Sequence, residues 1–169
     1  MIPIVVYEIR HRFFWKMQKN IHIQNKKARF EFEILDKYVA GIQLTGTEIK
    51  SIRLSKARIT ESFCEFNDRG ELFVVNMYIE EYLYGHHYNH NPKSERRLLL
   101  NKKELKSLKK EVDQKGNTIV PLRLFINKNG WAKLEIALAK GKKMLDKRET
   151  MKERDSKRDL ARIKKSFNT

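Results

Sequence analysis

The segment that decides the fold runs from Thr118 to Ala139 and reads TIVPLRLFI, NKNG, WAKLEIALA. Apolar residues alternate with other residues on both sides of Asn127–Gly130, which is typical of two half-buried strands joined by a turn that contains glycine. Thr118–Ile126 and Trp131–Ala139 are therefore predicted to pair as a hairpin. Pro121 lacks an amide hydrogen, so it places its strand at a sheet edge or at a bulge. The apolar alternation runs through Leu122, Leu124 and Ile126 on one strand and through Leu134, Ile136 and Leu138 on the other.

Four stretches nearer the N-terminus also have the pattern of strands. The last two are separated by Asn67–Gly70, a turn that contains glycine, and this spacing predicts another hairpin. Gly41 lies inside one stretch and predicts a bulge or a close approach of two backbones. The four stretches are Phe30–Ile34, Tyr38–Leu44, Ile59–Phe66 and Leu72–Met77.

Two helices are predicted between these strands. Thr45 and Glu48 have the spacing of a capping box, with Thr45 as the residue that caps the first helix. Asn101 and Glu104 repeat that spacing before a second helix, which Gly116 is expected to end. The residues predicted to face the core are Ile49, Ile52 and Ala57 after the first cap and Leu105, Leu108 and Val112 after the second.

The chain is strongly basic. Of its 169 residues, 37 are Lys or Arg and 21 are Asp or Glu, which gives a formal net charge of +16. Such an excess indicates a polyanionic partner, either a nucleic acid or, less often, an anionic membrane surface. Twelve basic and five acidic residues lie in residues 140–169, where apolar residues are too sparse to form a core. We expect this basic tail to be disordered alone and helical on an anionic partner; a solvated terminal helix without a partner is the alternative.

These patterns predict a mainly β protein with flanking α-helices. Six or so short antiparallel strands favour a closed or nearly closed small barrel over a doubly wound sheet. A barrel that binds polyanions suggests the oligonucleotide-binding (OB) type, by analogy of fold alone. The predicted organisation is an N-terminal extension over residues 1–24, the barrel over residues 25–139 and the basic tail over residues 140–169.

Composition also indicates the cellular compartment of the protein. The apolar runs fall far below the ~20 residues that a membrane-spanning helix needs. Met1–Lys16 lacks the order of a signal peptide, because charged residues interrupt its short apolar patch at once. Cys64 is the single cysteine, so the chain has no internal disulfide and a reducing compartment is favoured. We expect a cytoplasmic protein.

Candidate catalytic chemistry is sparse, and we expect no enzyme. His86, His87 and His90 lie in one loop, but Gly85–Pro92 contains no cysteine or carboxylate to complete a zinc site. We therefore expect no bound metal and a polar loop that packs or contacts RNA. Several aromatic residues could either stack on unpaired bases or fill the barrel rim; these residues are Tyr78, Tyr82, Tyr84, Tyr88 and Trp131.

Eight segments of the chain carry a family resemblance when they are taken together and in order. They are Lys27–Phe30, Ala40–Arg53, Lys56–Ala57, Asn89–His90, Arg97–Asn101, Val120–Leu124, Ala139–Lys143 and Asp146–Arg148. These segments resemble the SsrA-binding protein (SmpB) family of bacterial ribosome rescue. The similarity extends from about Asn25 to the end of the chain, and Met1–Lys16 lies outside it. Met17 resembles the natural start of family members.

This resemblance implies an OB-type barrel that binds the tRNA-like part of tmRNA. It also implies a tail that enters the empty messenger channel near the decoding centre of a stalled ribosome and becomes helical there. The implied partners are tmRNA, the small ribosomal subunit and the translation factor that delivers alanyl-tmRNA. The family uses no cofactor and catalyses no reaction, so the resemblance implies neither here.

The resemblance also assigns the family's RNA-contact positions to individual residues of this chain. Those for tmRNA are Asn25, Lys26, Lys27, Val39, Leu99, Asn101 and Lys133. Those for the decoding centre are Gly141, Lys142, Lys143, Asp146, Lys147 and Arg148, and Ile163 matches an apolar tail position that accommodation requires. The chain departs from the pattern at Val39, where many members have an acidic residue, at Leu145, where many have histidine or tyrosine, and at Lys164.

Each carried-over residue also has a purely structural interpretation. Leu99 would then belong to the core, Asn101 would only cap a helix and Lys133 would be a solvated strand lysine. Two rival functions also stay open at this point. A generic single-strand-binding barrel would show little preference for folded RNA, and a small metalloenzyme built on the histidine loop would hold a metal.

Overall fold

The computed structural model describes residues 21–143 and, beyond them, residues 148, 151–152, 155–156, 158–160, 162–163 and 166. Met17 and most of the predicted N-terminal extension lie outside this set. The strands are β1 (His22–Gln24), β2 (Phe32–Ile42), β3 (Ala57–Arg58), β4 (Phe63–Phe66), β5 (Leu72–Val75), β6 (Tyr78–Ile79), β7 (Arg96–Leu99), β8 (Asn117–Ile126) and β9 (Ala132–Gly141). The helices are α1 (Ala28–Glu31), α2 (Gly46–Arg53) and α3 (Lys102–Val112), with a 3-10 turn at His86–Tyr88.

Six of these strands close into a ring. The hydrogen-bonded order is β8, β4, β5, β7, β2 and β9, and β9 pairs back to β8. Every neighbouring pair is antiparallel. β1 adds to β8 outside the ring, while β3 and β6 form a separate two-stranded sheet. The predicted fold class, a small antiparallel barrel with flanking helices, is confirmed.

The hairpin quoted first is confirmed as β8 and β9. Its register runs from Asn117 opposite Lys140 to Ile126 opposite Ala132. The register shifts between Pro121 and Arg123, so the bulge that the proline predicts is present.

This bulge reverses the side-chain faces along β8, and here the predicted alternation is wrong. Leu124 belongs to the barrel interior, whereas Leu122 belongs to a second buried cluster together with Val120. An extra residue in one strand shifts the two-residue period, so side chains before and after it point to opposite faces.

Three predicted strands have substantially different bounds in the structure. Phe30–Ile34 and Tyr38–Leu44 are not separate strands, because Phe32–Ile42 is continuous and Phe30 lies in α1. Ile59–Phe66 is interrupted, since the backbone amide and hydroxyl of Ser62 both donate to the carbonyl of Ile59, at 3.4 and 2.8 Å, in a local turn. A short-range hydrogen bond of this kind competes with the strand ladder.

Both predicted helix starts are confirmed. Glu48 Oε2 accepts a hydrogen bond from the Thr45 amide at 2.7 Å, and Thr45 Oγ1 accepts from the Glu48 amide at 3.4 Å. Glu104 Oε2 likewise accepts from the Asn101 amide at 3.0 Å. These bonds satisfy amides that have no partner inside the helix.

Two apolar clusters hold the barrel together. The larger one fills the interior and includes Ile52 of α2 and Leu108 of α3, which seal the barrel from outside the ring. The smaller one joins Ala28 of α1 to Ala137 and Ala139 on the outer face of β9. The second cluster holds α1, which follows β1, against the barrel wall.

Candidate functional site

Three of the predicted contact residues converge on one patch of the barrel wall. Gly41 of β2 lies opposite Leu99 of β7 on one side and opposite Lys133 of β9 on the other. Val39 precedes Gly41 by two positions and therefore shares its face. Val39 and Leu99 are 53% and 52% exposed. Leu99 is therefore not a core residue, and two large apolar side chains lie open beside a lysine.

Gly41 leaves room for the Leu99 side chain in this patch. A Cβ built on it would lie 3.3 Å from the Cβ of Leu99, so the close approach predicted for this glycine is confirmed. A larger residue at this position would therefore force the Leu99 side chain to shift. The bulge offered as the other interpretation of Gly41 lies elsewhere on β2, between Ile34 and Asp36.

Lys133 is the basic group of the patch. Its neighbour two positions along β9, Glu135, forms an ion pair with Arg123 of β8 at 2.6 Å. The Arg123 guanidinium also lies over the ring of Phe125, 4.8 Å from its centroid. Because Arg123 balances the carboxylate of Glu135, the positive charge of Lys133 is left available for an anionic partner.

Asn25 occupies a different position from the other predicted contacts, because it is 6% exposed. Its amide donates to the carbonyls of Ile59 and Pro121 at 3.3 and 3.1 Å. Its Oδ1 accepts from the amides of Lys27 and Ala28 at 3.2 and 3.1 Å. These hydrogen bonds occupy the whole side chain, so Asn25 positions the backbone of its neighbours.

Lys26 and Lys27 are the exposed residues that Asn25 holds. Lys27 pairs with Glu31 one helical turn later at 3.6 Å, and Ala28 packs α1 onto the outer face of β9. A groove beside this segment is lined by Lys26, Arg29 and Arg123. Arg29 and Arg123 were not predicted from the sequence as site residues, because only the packing of α1 against β8 brings them to Lys26.

The patch that contains Lys133 and the segment that contains α1 lie on one face of β9. Ala139 and Ala137 are covered by α1, and Glu135 and Lys133 follow on the same side of the strand. At ~3.3 Å per residue, Lys133 lies about 20 Å from the end of the strand that α1 covers. Asn101 is exposed at the start of α3 and follows Leu99 by two residues. It extends the site at the end that α1 does not cover.

The basic tail leaves the barrel beside α1. Gly141 is the last residue of β9 and pairs with Phe32, and the Lys142 amide donates to the carbonyl of Glu31 at 3.0 Å. Lys143 is exposed. Arg148 and Ile163 have helical backbone and exposed side chains, whereas Asp146, Lys147, Leu145 and Lys164 lie outside the described residues.

His90 anchors the histidine loop to neighbouring segments of the protein. His90 is buried, with Nδ1 2.9 Å from Thr47 Oγ1 and Nε2 3.2 Å from the carbonyl oxygen of Ile79. His86 and His87 are exposed. Among the residues that the structure describes, no group of three His, Cys, Asp or Glu side chains could hold a metal ion.

One buried ion pair could not be predicted from any pattern in the sequence. Arg96 Nε donates to Glu48 Oε1 at 2.7 Å, and Arg96 Nη1 donates to the carbonyls of Met77 and Ser94 at 2.7 and 2.6 Å. Glu48 also closes the capping box with Thr45. This pair joins α2 to β7 and sets the strand that carries Leu99.

Cys64 carries no chemistry at the site. Its thiol is buried in the interior cluster, and burial raises its pKa well above the usual range. A thiol that stays protonated and enclosed is a poor nucleophile and a poor metal ligand.

Comparison with known proteins decides the family. A family model described as "SmpB protein" matches residues 22–166. The chain belongs to the SmpB family. It is 68% identical over 151 residues to the SsrA-binding protein of Flavobacterium psychrophilum, covering 89% of this chain and 100% of that protein. The SsrA-binding protein of Bacteroides thetaiotaomicron is 56% identical over 146 residues, which cover 86% of this chain and 97% of that one.

A solved structure of an SmpB protein has the same fold. It comes from work described as "tmRNA-SmpB: a journey to the center of the bacterial ribosome" and is 47% identical to this chain, with a TM-score of 0.62. The match covers 73% of this chain and 86% of that chain. The resemblance inferred from the eight sequence segments is thereby confirmed. In the part of the SmpB chain that the structure describes, no helix combines the length and the apolar character that crossing a membrane requires.

Proposed function

We propose that this chain binds the tRNA-like part of tmRNA and brings it to stalled ribosomes, where the nascent chain is tagged. The observation that carries the proposal is the convergence of Val39, Leu99 and Lys133 around Gly41 on the outer wall of an SmpB-family barrel. Residues that are far apart in the sequence meet there on neighbouring strands. Such a surface can match a folded RNA of fixed shape.

The barrel supplies contacts of two kinds. Lys26, Lys27 and Lys133 are suited to phosphates, which contribute affinity without reading sequence. Val39 and Leu99 are suited to exposed sugar and base surfaces, as in proteins that recognise RNA by shape. Val39 has no charge, so this position contributes apolar contact here where many family members contribute a carboxylate.

The tail supplies the second half of the function. We place Gly141, Lys142, Lys143, Asp146, Lys147, Arg148 and Ile163 at the decoding centre and messenger channel of the small ribosomal subunit. The tail residues that the structure describes beyond Lys143 are all exposed, which fits a segment with too few apolar residues to form a core. The tail residues described beyond Lys143 have helical backbone. We expect ribosomal RNA to stabilise the tail helix, because the RNA supplies counter-charge and a packing surface that the segment by itself lacks.

In this function the protein makes and breaks no bond. It works in the cytoplasm without a cofactor, together with the translation factor that delivers alanyl-tmRNA. Both ring nitrogens of His90 have hydrogen-bond partners, and Cys64 is buried. Because neither offers a reactive group to a substrate, both observations support a binding role.

The decisive experiment is recovery of RNA from a bacterial lysate on the tagged full-length chain. We expect tmRNA to be the dominant RNA, and we expect Leu99→Asp to remove it. Lys93→Ala is the matched control, because Lys93 is an exposed residue in the loop before β7. Recovery of mixed single-stranded RNA without enrichment of tmRNA would support a generic single-strand-binding barrel and contradict the proposal.

A further inference from the structure

A groove beside Lys133 combines two of the family's contact positions, Leu99 and Lys133, with residues that those positions do not include. The apolar residues Leu44, Ile49 and Leu99 line the groove. Arg53, Trp131 and Lys133 line it as well. No Asp or Glu lines the groove in the described part of the chain. It therefore offers a partner apolar surface and positive charge together.

Trp131 is the exposed aromatic residue of this groove and is 69% accessible. The turn beneath it is rigid, because Asn127 Oδ1 accepts hydrogen bonds from the amides of Asn129 and Trp131 at 3.1 and 2.8 Å. The Asn127 amide in turn donates to the carbonyl of Trp131 at 2.9 Å. An indole held on a fixed backbone and open to water is a preformed stacking platform.

Arg53 lies beside this platform at the end of α2. A Cβ built on Gly130 would be 3.9 Å from Arg53 Nη2, which places the guanidinium against the turn. Within the described residues Arg53 takes part in no ion pair or hydrogen bond through its guanidinium, and its buried Nε has no partner. A guanidinium without a protein acceptor is well suited to a phosphate, which can accept two parallel bonds.

We propose that this groove binds one unpaired nucleotide of the tRNA-like part of tmRNA, with its base stacked on Trp131 and its phosphate held by Arg53 and Lys133. The inference rests on the proposed function and adds to it a specific subsite. Charge decides the occupant, because two cations without a carboxylate favour a polyanion. Leu99 joins the groove to the patch around Gly41, so one RNA can contact both.

Tryptophan fluorescence tests the stacking directly. The chain has two tryptophans, so Trp15→Phe leaves Trp131 as the single reporter in the full-length protein. We expect the tRNA-like RNA fragment to lower acrylamide quenching of Trp131 by about twofold or more, as the base covers the ring. Unchanged quenching in a sample where gel shift shows saturated RNA binding would overturn the inference. Shielding by polyglutamate but not by RNA would also overturn it and assign the groove to an acidic protein segment.

Affinity measurements separate this inference from the proposed function. Trp131→Ala should weaken binding of the fragment by about tenfold or more, and Trp131→Phe should recover most of the loss because a ring is retained. Arg53→Gln should weaken binding and lower the slope of log affinity against log salt by about one, as expected for one lost phosphate contact. Phe63→Ala is the control, because Phe63 is an exposed aromatic residue of β4 that does not line the groove.

Each outcome of these titrations has one meaning. Wild-type affinity in Trp131→Ala would remove the stacking subsite and leave the proposed function standing. An unmodified chain that does not prefer the tRNA-like fragment over single-stranded RNA of equal length would contradict the proposed function itself.

Discussion

The barrel and the tail are both basic, but they hold their charges in different ways. Lys133 and Arg123 project from paired strands, and Asn25 fixes the backbone that carries Lys26. In the tail, the ion pairs Asp155–Arg158 and Asp159–Arg162 span three residues at 3.7 and 3.5 Å, with all four side chains well exposed. Exposed pairs of this kind contribute little to stability.

This difference separates two kinds of recognition. Charges on a rigid wall keep their spacing and can select an RNA of matching shape. Charges on a segment without a core adapt to the surface they reach and contribute attraction that does not depend on sequence. The barrel is thus suited to choosing the RNA, and the tail is suited to occupying a channel in a much larger assembly.

The largest expected effect comes from removing the tail. Truncation after Lys143 keeps Gly141 and Lys142, which pair with the backbone of Phe32 and Glu31. We expect affinity for the tRNA-like RNA to stay within about threefold, since the barrel face is intact, and tagging on stalled ribosomes to be abolished. Gel shift and an in vitro tagging reaction measure the two quantities on the same preparation.

A shorter truncation controls for the length removed. Ending the chain after Arg162 retains most basic residues but deletes Ile163, and we expect this variant to bind RNA normally and to tag poorly. Full tagging by the chain that ends at Lys143 would show that the tail is only a solvated terminus.

The second effect concerns the stability of the barrel. Arg96→Ala leaves the Glu48 carboxylate buried without its partner, and breaking such a pair costs about 3–5 kcal/mol. We expect a lower free energy of unfolding in urea. Tail helicity on the ribosome should be unaffected in whatever fraction stays folded.

Lys56→Ala is the matched comparison, because it removes an exposed ion pair with Glu80. Such pairs contribute about 0–1 kcal/mol. If the two variants unfold at the same urea concentration, the buried pair does not hold α2 to β7 as described.

The third effect concerns the charge on the barrel face. Lys133→Ala should weaken binding of the tRNA-like RNA by about 1–3 kcal/mol, as expected for a charged hydrogen bond. The salt dependence of binding should become shallower by about one ion. Titrations at two salt concentrations measure both, with Lys93→Ala as a control outside the patch. Unchanged affinity would return Lys133 to the role of a solvated strand lysine.

The smallest expected effect is at the histidine loop. A chelator should change neither the circular dichroism spectrum nor the RNA affinity, because the two ring nitrogens of His90 already have Thr47 and Ile79 as hydrogen-bond partners. Elemental analysis should find no stoichiometric zinc. One metal ion per chain would revive the metalloenzyme interpretation.

The sequence by itself determined the features that depend on neighbours in the chain. The capping boxes at Thr45 and Asn101 involve residues three positions apart. The β8–β9 hairpin depends on a four-residue turn and a two-residue period. Short-range patterns of this kind leave a readable signal because the interacting groups keep a constant spacing. The ordered family segments added the candidate contacts and their partner.

Only the tertiary structure decided which residues meet across the barrel. Arg96 and Glu48 are 48 positions apart in the sequence, and Asn25 and Pro121 are 96 positions apart. No local sequence pattern predicts either contact. The bulge after Pro121 sends Leu122 to the outer cluster, since one extra residue reverses the faces of a strand. Closure of the ring then places Val39, Leu99 and Lys133 around Gly41, because strand register, which is set by the packing of the whole barrel, determines which side chains become neighbours.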